Sequence, residues 1–209
     1  MLRVNDIREM LKDAPVNEDG LKEIIGASFI ADEESIFGEV NYDYVRREIE
    51  WYLSMSLNVN EMEAPVPTIW KNIANEDGMI NSNYGWCVFS KENGSQYLHV
   101  LSKLISNPNS RQASIIYNRP SIHEEAGKDF ICTNAVTYNI RDGKLHVVVQ
   151  MRSNDAVFGY KNDYAWQKYL QHRIAYELDV GIGDIVWQVV SLHIYPRHFD
   201  LLYKEKSLL

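Results

Sequence analysis

The chain has 209 residues, 45% hydrophobic and 24% charged, which suits one folded domain over 1–209 with a sizeable core. Its net charge of -8 argues against a long nucleic-acid partner, because phosphate polymers select basic faces. A few arginines can still hold a small phosphorylated ligand. The start, M-L-R-V-N-D-I-R-E-M-L, is too charged for a secretory signal, and no apolar run approaches membrane-spanning length. Two distant cysteines, Cys87 and Cys132, make no disulfide framework, so the cytoplasm is the expected compartment. The six histidines show no metal-site spacing, and no metal is expected.

Residues 5–13 read as a short helix. Residues 43–57 read as a longer one, with Val45, Ile49, Tyr52 and Met55 recurring at helical spacing. Glu48 falls between Tyr52 and Met55 on that apolar face, whereas Glu50 falls roughly opposite. A carboxylate on a buried face needs a partner or takes up a proton. Residues 96–106 form the next helix, which runs out at the turn-forming N-P-N-S. Residues 113–117 read as a strand.

Between 131 and 153 the pattern is two strands joined at Asp142-Gly143, a strong hairpin signal. A helix from about 163 to 178 carries Trp166, Leu170 and Ile174 on one face. Residues 180–195 supply a turn and a long strand.

The hairpin sets a register. With Asp142 and Gly143 as the loop, Cys132 comes opposite Ser153 and next to Arg152, and a bulge would shift this by one residue. Beside a cation Cys132 is a candidate nucleophile, since the charge favours thiolate; the alternative is a small buried strand residue. Cys87, in Y-G-W-C-V-F, has apolar neighbours and reads as structural. Arg152 and Ser153 together suit a phosphate, and Arg111 in N-S-R-Q is a second candidate, although either could be a surface arginine. Asp163 stands where a helix N-cap belongs. His193 and Tyr195 alternate on a strand and face one way, as a ligand-facing pair or a half-buried polar patch.

The ordered set I-W (69–70), N-Y-G (83–85), S-R (110–111), a lone cysteine, R-S-N-D (152–155), G-D-I-V-W (183–187) and H-I-Y (193–195) resembles the thymidylate synthase family. The resemblance runs from about Ile24 to Phe199. Each motif is weak alone; their order and spacing are specific. M-R-S-N-D, N-D-Y-A-W-Q-K-Y and S-L-H-I-Y-P-R-H-F look like the branch of that family that hydroxymethylates dCMP in T-even-like bacteriophages.

The resemblance implies an α+β fold: a large twisted mixed sheet with helices on one face and a dimer interface on the other. It implies one-carbon transfer from 5,10-methylenetetrahydrofolate to C5 of dCMP with hydration, in the cytoplasm of a host cell. Cys132 would be the nucleophile and Glu48 the proton-transfer group. Arg152 and Arg111 would hold phosphate, with Arg111 reaching into the partner subunit's site of a homodimer. Ser153 and Asn154 would line the nucleotide, and His193 and Tyr195 would bind a sugar hydroxyl. Trp70 and Tyr84 would form active-site walls, and Asp155 and Gly159 would contact folate. Asp163 would face the pyrimidine edge, where thymidylate synthases carry asparagine.

The sequence departs from the synthase pattern in places. Pro-Cys-His becomes Ile131-Cys132-Thr133, Gln112 replaces a second arginine, and an N-terminal phosphate-binding basic residue has no match. The alternatives are a thymidylate synthase or dUMP hydroxymethylase, which Asp163 counts against, and a silent nucleotide-binding protein, which Cys132 and Glu48 count against.

Overall fold

The computed structural model describes residues 1–123 and 129–204. In chain order the elements are β1 (Leu2–Arg3), α1 (Val4–Asp13), β2 (Lys22–Ile30), α2 (Tyr42–Ser54), α3 (Thr68–Ile73), α4 (Tyr84–Phe89) and α5 (Gln96–Ser106). Then come β3 (Ser114–Ile116), β4 (Thr133–Arg141), β5 (Lys144–Asp155), α6 (Gly159–Glu177) and β6 (Gly181–Ile194). A 3-10 stretch, Pro196–Tyr203, follows β6.

The strands form one mixed sheet of order β1-β2-β6-β5-β4-β3. β5 and β6 run parallel, as do β1 and β2; the other pairs are antiparallel. Asp142 and Gly143 both have positive φ, the backbone a tight two-residue hairpin requires, so β4 and β5 pair as their sequence signal demands.

Alternation then divides the sheet. Val136 and Tyr138, Leu145, Val147 and Val149, and Ile185, Trp187 and Val189 are buried on the face that α6 covers with Trp166, Leu170 and Ile174. The opposite face carries polar pairs, including Gln150 with Gln188 and Ser114 with Thr137. Ile25, Val190 and Ile116 are exposed on β2, β6 and β3.

Four expectations are corrected. The helix read over 43–57 stops at Ser54, where Met55 turns left-handed with φ 59°. Its buried residues are Arg47, Glu48, Trp51 and Tyr52, while Val45 and Ile49 are half-buried and Met55 is exposed. The cause is α4: a Cβ on Gly85 would stand 1.6 Å from the Tyr52 carbonyl, so the two backbones touch on the Tyr52 side.

α6 begins at Gly159 rather than near 163, and its N-cap position, Phe158, makes no side-chain cap. Asp163 therefore lies inside the helix and is not its cap. Finally, a bulge between Thr133 and Ala135 shifts the register by one, so the Arg152 amide bonds the Cys132 carbonyl at 2.9 Å and Cys132 does not face Ser153.

Candidate active site

Cys132 stands just before β4. Arg152, across the hairpin, aims its guanidinium back along that approach. Its Nε donates to the Ile131 carbonyl at 3.0 Å, Nη2 donates to the Phe130 carbonyl, and Nη2 lies 3.6 Å from the Cys132 sulfur. The Phe130 ring lies under it at 4.8 Å. Among the described residues these contacts engage Nε and Nη2 and leave Nη1 without a hydrogen bond.

Burial pushes the Cys132 pKa up to about 11; Arg152 pulls it down, and Asp163 and Asp129 push it further up. Desolvation is the largest of these effects, and Arg152 is the one that favours the thiolate. Cys87 is fully buried, with its pKa raised to about 12 chiefly by desolvation, as a structural cysteine requires.

Glu48 is buried on the inner face of α2. The Tyr44 hydroxyl, one turn earlier, donates to Glu48 Oε1 and accepts the Trp70 indole N–H at 2.9 Å. Burial raises the Glu48 pKa to about 7, against the pull of Tyr44 and Trp70. Tyr44 escaped the sequence reading. Its signal was available, because residues four apart share a helix face.

Asp163 is the second buried carboxyl. Its pKa rises to about 8, first through burial and next through the nearby charge of Glu48; Asn154 and Tyr84 pull it down by hydrogen bonding. Asn154 Nδ2 donates to Asp163 Oδ2 at 2.8 Å, and Asn154 Oδ1 accepts the Trp187 indole N–H at 3.2 Å. Tyr84 receives the Thr133 hydroxyl at 3.0 Å and stacks on Tyr52 at 5.4 Å. The charges of Asp163 and Cys132 both act on the buried Tyr84 hydroxyl.

His193 and Tyr195 face the same way, with ring centroids 5.1 Å apart and planes at 90°. Ser153, half-buried, pairs across the sheet with Ser191. At the start of α6, Asp155 Oδ1 accepts the Val157 amide at 2.9 Å. A Cβ on Gly159 would stand 2.9 Å from Asn154 Nδ2, so only glycine leaves that amide in place. Arg111 is the outlier: it is exposed in the bend after α5 and makes no hydrogen bond or ion pair among the described residues.

Among the described residues no cluster of three or more His, Cys, Asp and Glu side chains could hold a metal. No helix among them is long and apolar enough to cross a membrane.

The contacts bring Cys132 to Arg152 and Asp163 to Asn154 and Tyr84, with Glu48 near enough for its charge to act on Asp163. A relative from Enterobacteria phage T4, described as a deoxycytidylate 5-hydroxymethyltransferase, is 49% identical over 204 residues, covering 91% of this chain and 83% of the relative. A thymidylate synthase of Francisella philomiragia is 28% identical over 183 residues, covering 81% of this chain and 67% of the relative. Thermostable thymidylate synthase A from Bacillus subtilis shares the fold with TM-score 0.78 at 23% identity, covering 97% of this chain and 83% of that one. The family model described as thymidylate synthase matches residues 38–207, and with the relatives above it shows that the chain belongs to the thymidylate synthase family.

Proposed function

We propose that this chain transfers a one-carbon unit from 5,10-methylenetetrahydrofolate to C5 of dCMP and hydrates it, giving 5-hydroxymethyl-dCMP and tetrahydrofolate. The observation that carries the cytosine assignment is Asp163: a buried carboxyl with its pKa raised to about 8, in an orientation fixed by Asn154. A neutral carboxyl donates O–H to cytosine N3 and accepts from the 4-amino group. If the proton moves to N3, both hydrogen bonds survive and become charge-assisted. Uracil N3 already bears a proton and cannot take another.

In this reading the Cys132 sulfur adds to C6 of the ring, its proton passes to water, and the C5–C6 electron pair moves onto C5. C5 becomes the nucleophile and takes up the one-carbon unit. Loss of the C5 proton, with tetrahydrofolate departing on the electron pair of its C–N bond, leaves an exocyclic methylene. Water then adds to that carbon, its proton passes to the Glu48 carboxylate, and the C6–S bond breaks with its electron pair on sulfur. Glu48, with its pKa at about 7, can both hold and release a proton near neutrality.

The folate contributes the one-carbon unit at the oxidation level of formaldehyde. The residues at its expected edge fit it chemically. Asp155 has a carboxylate oxygen beyond the one that accepts the Val157 amide, for N–H donors, and the exposed Phe158 and half-buried Trp70 are aromatic. Arg152 Nη1 and Ser153 would take the phosphate, with Arg111 of the partner subunit. Two features support a homodimer: Arg111 is unpaired among the described residues, and Ile25, Val190 and Ile116 are exposed on the sheet.

The test is incubation with C5-tritiated dCMP or dUMP and 5,10-methylenetetrahydrofolate. Tritium release and 5-hydroxymethyl-dCMP are expected from dCMP, with none from the Cys132→Ser protein, which still binds dCMP. Product from dUMP alone would assign the chain to the uracil branch, and binding without release would make it a silent nucleotide-binding protein.

A further inference from the structure

Behind His193 two polar residues, Glu23 and Ser191, lie outside the machinery described so far. β2 and β6 run antiparallel and place Glu23 directly opposite His193. Ser191 stands two residues before His193. Its hydroxyl donates to Glu23 Oε1, and its oxygen lies 3.4 Å from His193 Nδ1. Asn17 Nδ2 donates to the other Glu23 oxygen at 3.3 Å. No cation pairs with Glu23 among the described residues, so its carboxylate serves only as an acceptor of these two bonds.

This arrangement has one consistent proton assignment. Ser191 has a single proton, and Glu23 takes it. Toward His193 the serine oxygen can therefore only accept, so Nδ1 must carry a hydrogen. In the neutral ring Nε2 is then the lone-pair nitrogen. His193 is almost wholly buried, and its ring meets that of Tyr195 edge to face, which leaves the imidazole little freedom to reorient.

We propose that Glu23 and Ser191 are positioning residues that fix His193 as its Nδ1–H tautomer, so that Nε2 accepts a hydrogen bond from the 3′-hydroxyl of the bound nucleotide. The inference rests on the nucleotide reading given above and deepens it by assigning the direction of the sugar hydrogen bond. It makes the 3′-hydroxyl an obligate donor. A nucleotide lacking that hydroxyl leaves Nε2 unpaired, and a ring in the other tautomer presents a donor where an acceptor is needed.

Two measurements test it. The first is ring ¹⁵N NMR of His193 in the unliganded protein at neutral pH, which requires no substrate. The wild type is expected to be protonated at Nδ1. Ser191→Ala should move the ring toward the Nε2–H form that free imidazole side chains prefer. Wild-type protein already in the Nε2–H form would overturn the inference.

The second is the dissociation constant for dCMP against 2′,3′-dideoxy-CMP. Ser191→Ala and Glu23→Gln should weaken dCMP by roughly three- to tenfold and leave the dideoxy compound unchanged, and Ser191→Thr should restore the wild-type ratio. Equal weakening of both compounds would mean a general structural role and sink the proposal, as would wild-type protein that binds neither. Wild-type protein that binds dCMP in this pattern but releases no tritium would overturn the reaction assignment and leave the relay standing.

Discussion

Asn154 donates to Asp163 at 2.8 Å while its own carbonyl oxygen accepts the Trp187 indole N–H at 3.2 Å. Trp187 therefore fixes which way the Asn154 amide points, and Asn154 fixes which Asp163 oxygen must accept. An aspartate so held is a directional group, with Oδ2 engaged by Asn154.

Asp163→Asn should shift the dCMP-to-dUMP preference in kcat/KM toward dUMP by at least roughly tenfold. The carboxyl can share a proton with cytosine N3; an amide cannot, and charge-assisted hydrogen bonds contribute about 1.5–3 kcal/mol. Steady-state kinetics with both nucleotides check this. An unchanged preference would remove Asp163 from base recognition.

Tyr44→Phe should move the pH profile. In the wild type, kcat/KM should rise as Glu48 ionises through about 7 and fall as Asp163 loses its proton near about 8. The groups facing Glu48 are Tyr44 and Tyr52 from its own helix, the Trp70 N–H from α3 and Asp163 from α6. Only the two hydrogen-bond donors, Tyr44 and Trp70, favour its ionised form. Losing the tyrosine hydroxyl should carry the rising limb upward by about one pH unit, with kcat lowered. An unmoved limb would show that Tyr44 does not tune Glu48.

The two buried carboxyls should make stability fall with rising pH. Their folded pKa values lie above the unfolded ones, so between about pH 4 and about pH 8 the folded state binds more protons. Stability is then greatest below the unfolded pKa and declines as pH rises through about 7 and about 8. Glu48→Gln removes one such group. It should raise Tm by about 2–4 °C or more near pH 8 and by less near pH 5. Calorimetry at both values decides; a pH-independent difference would contradict the raised pKa.

Mixing two inactive proteins, Arg111→Ala and Cys132→Ser, should restore activity if each site takes Arg111 from the partner subunit. Hybrid dimers would hold one intact site, giving roughly a quarter of wild-type activity at equal mixing. No recovery after proven subunit exchange would count against phosphate binding in trans.

The sequence alone determined those features that are local in the chain. Asp142-Gly143 specified its hairpin because few residue pairs tolerate two positive φ angles. Glu48 stood out because helical periodicity is local, and a carboxylate on an apolar face is conspicuous. The ordered motifs announced the family, and with it Cys132 and Asp163. Tertiary structure decided the rest. β2 was not legible as a strand, because K-E-I-I-G-A-S-F-I lacks clean alternation and Gly26 breaks it with φ 72°. Without β2 there was no reason to connect Glu23 with His193, 170 positions away and yet directly opposite.

The buried face of α2 turned toward Trp51 because α4 packs where only Gly85 fits, a contact between segments that no periodicity encodes. The thiol pKa was likewise settled in three dimensions. Adjacency to Arg152 could be counted from the hairpin, but desolvation depends on everything packed around the sulfur, and here desolvation is the larger effect.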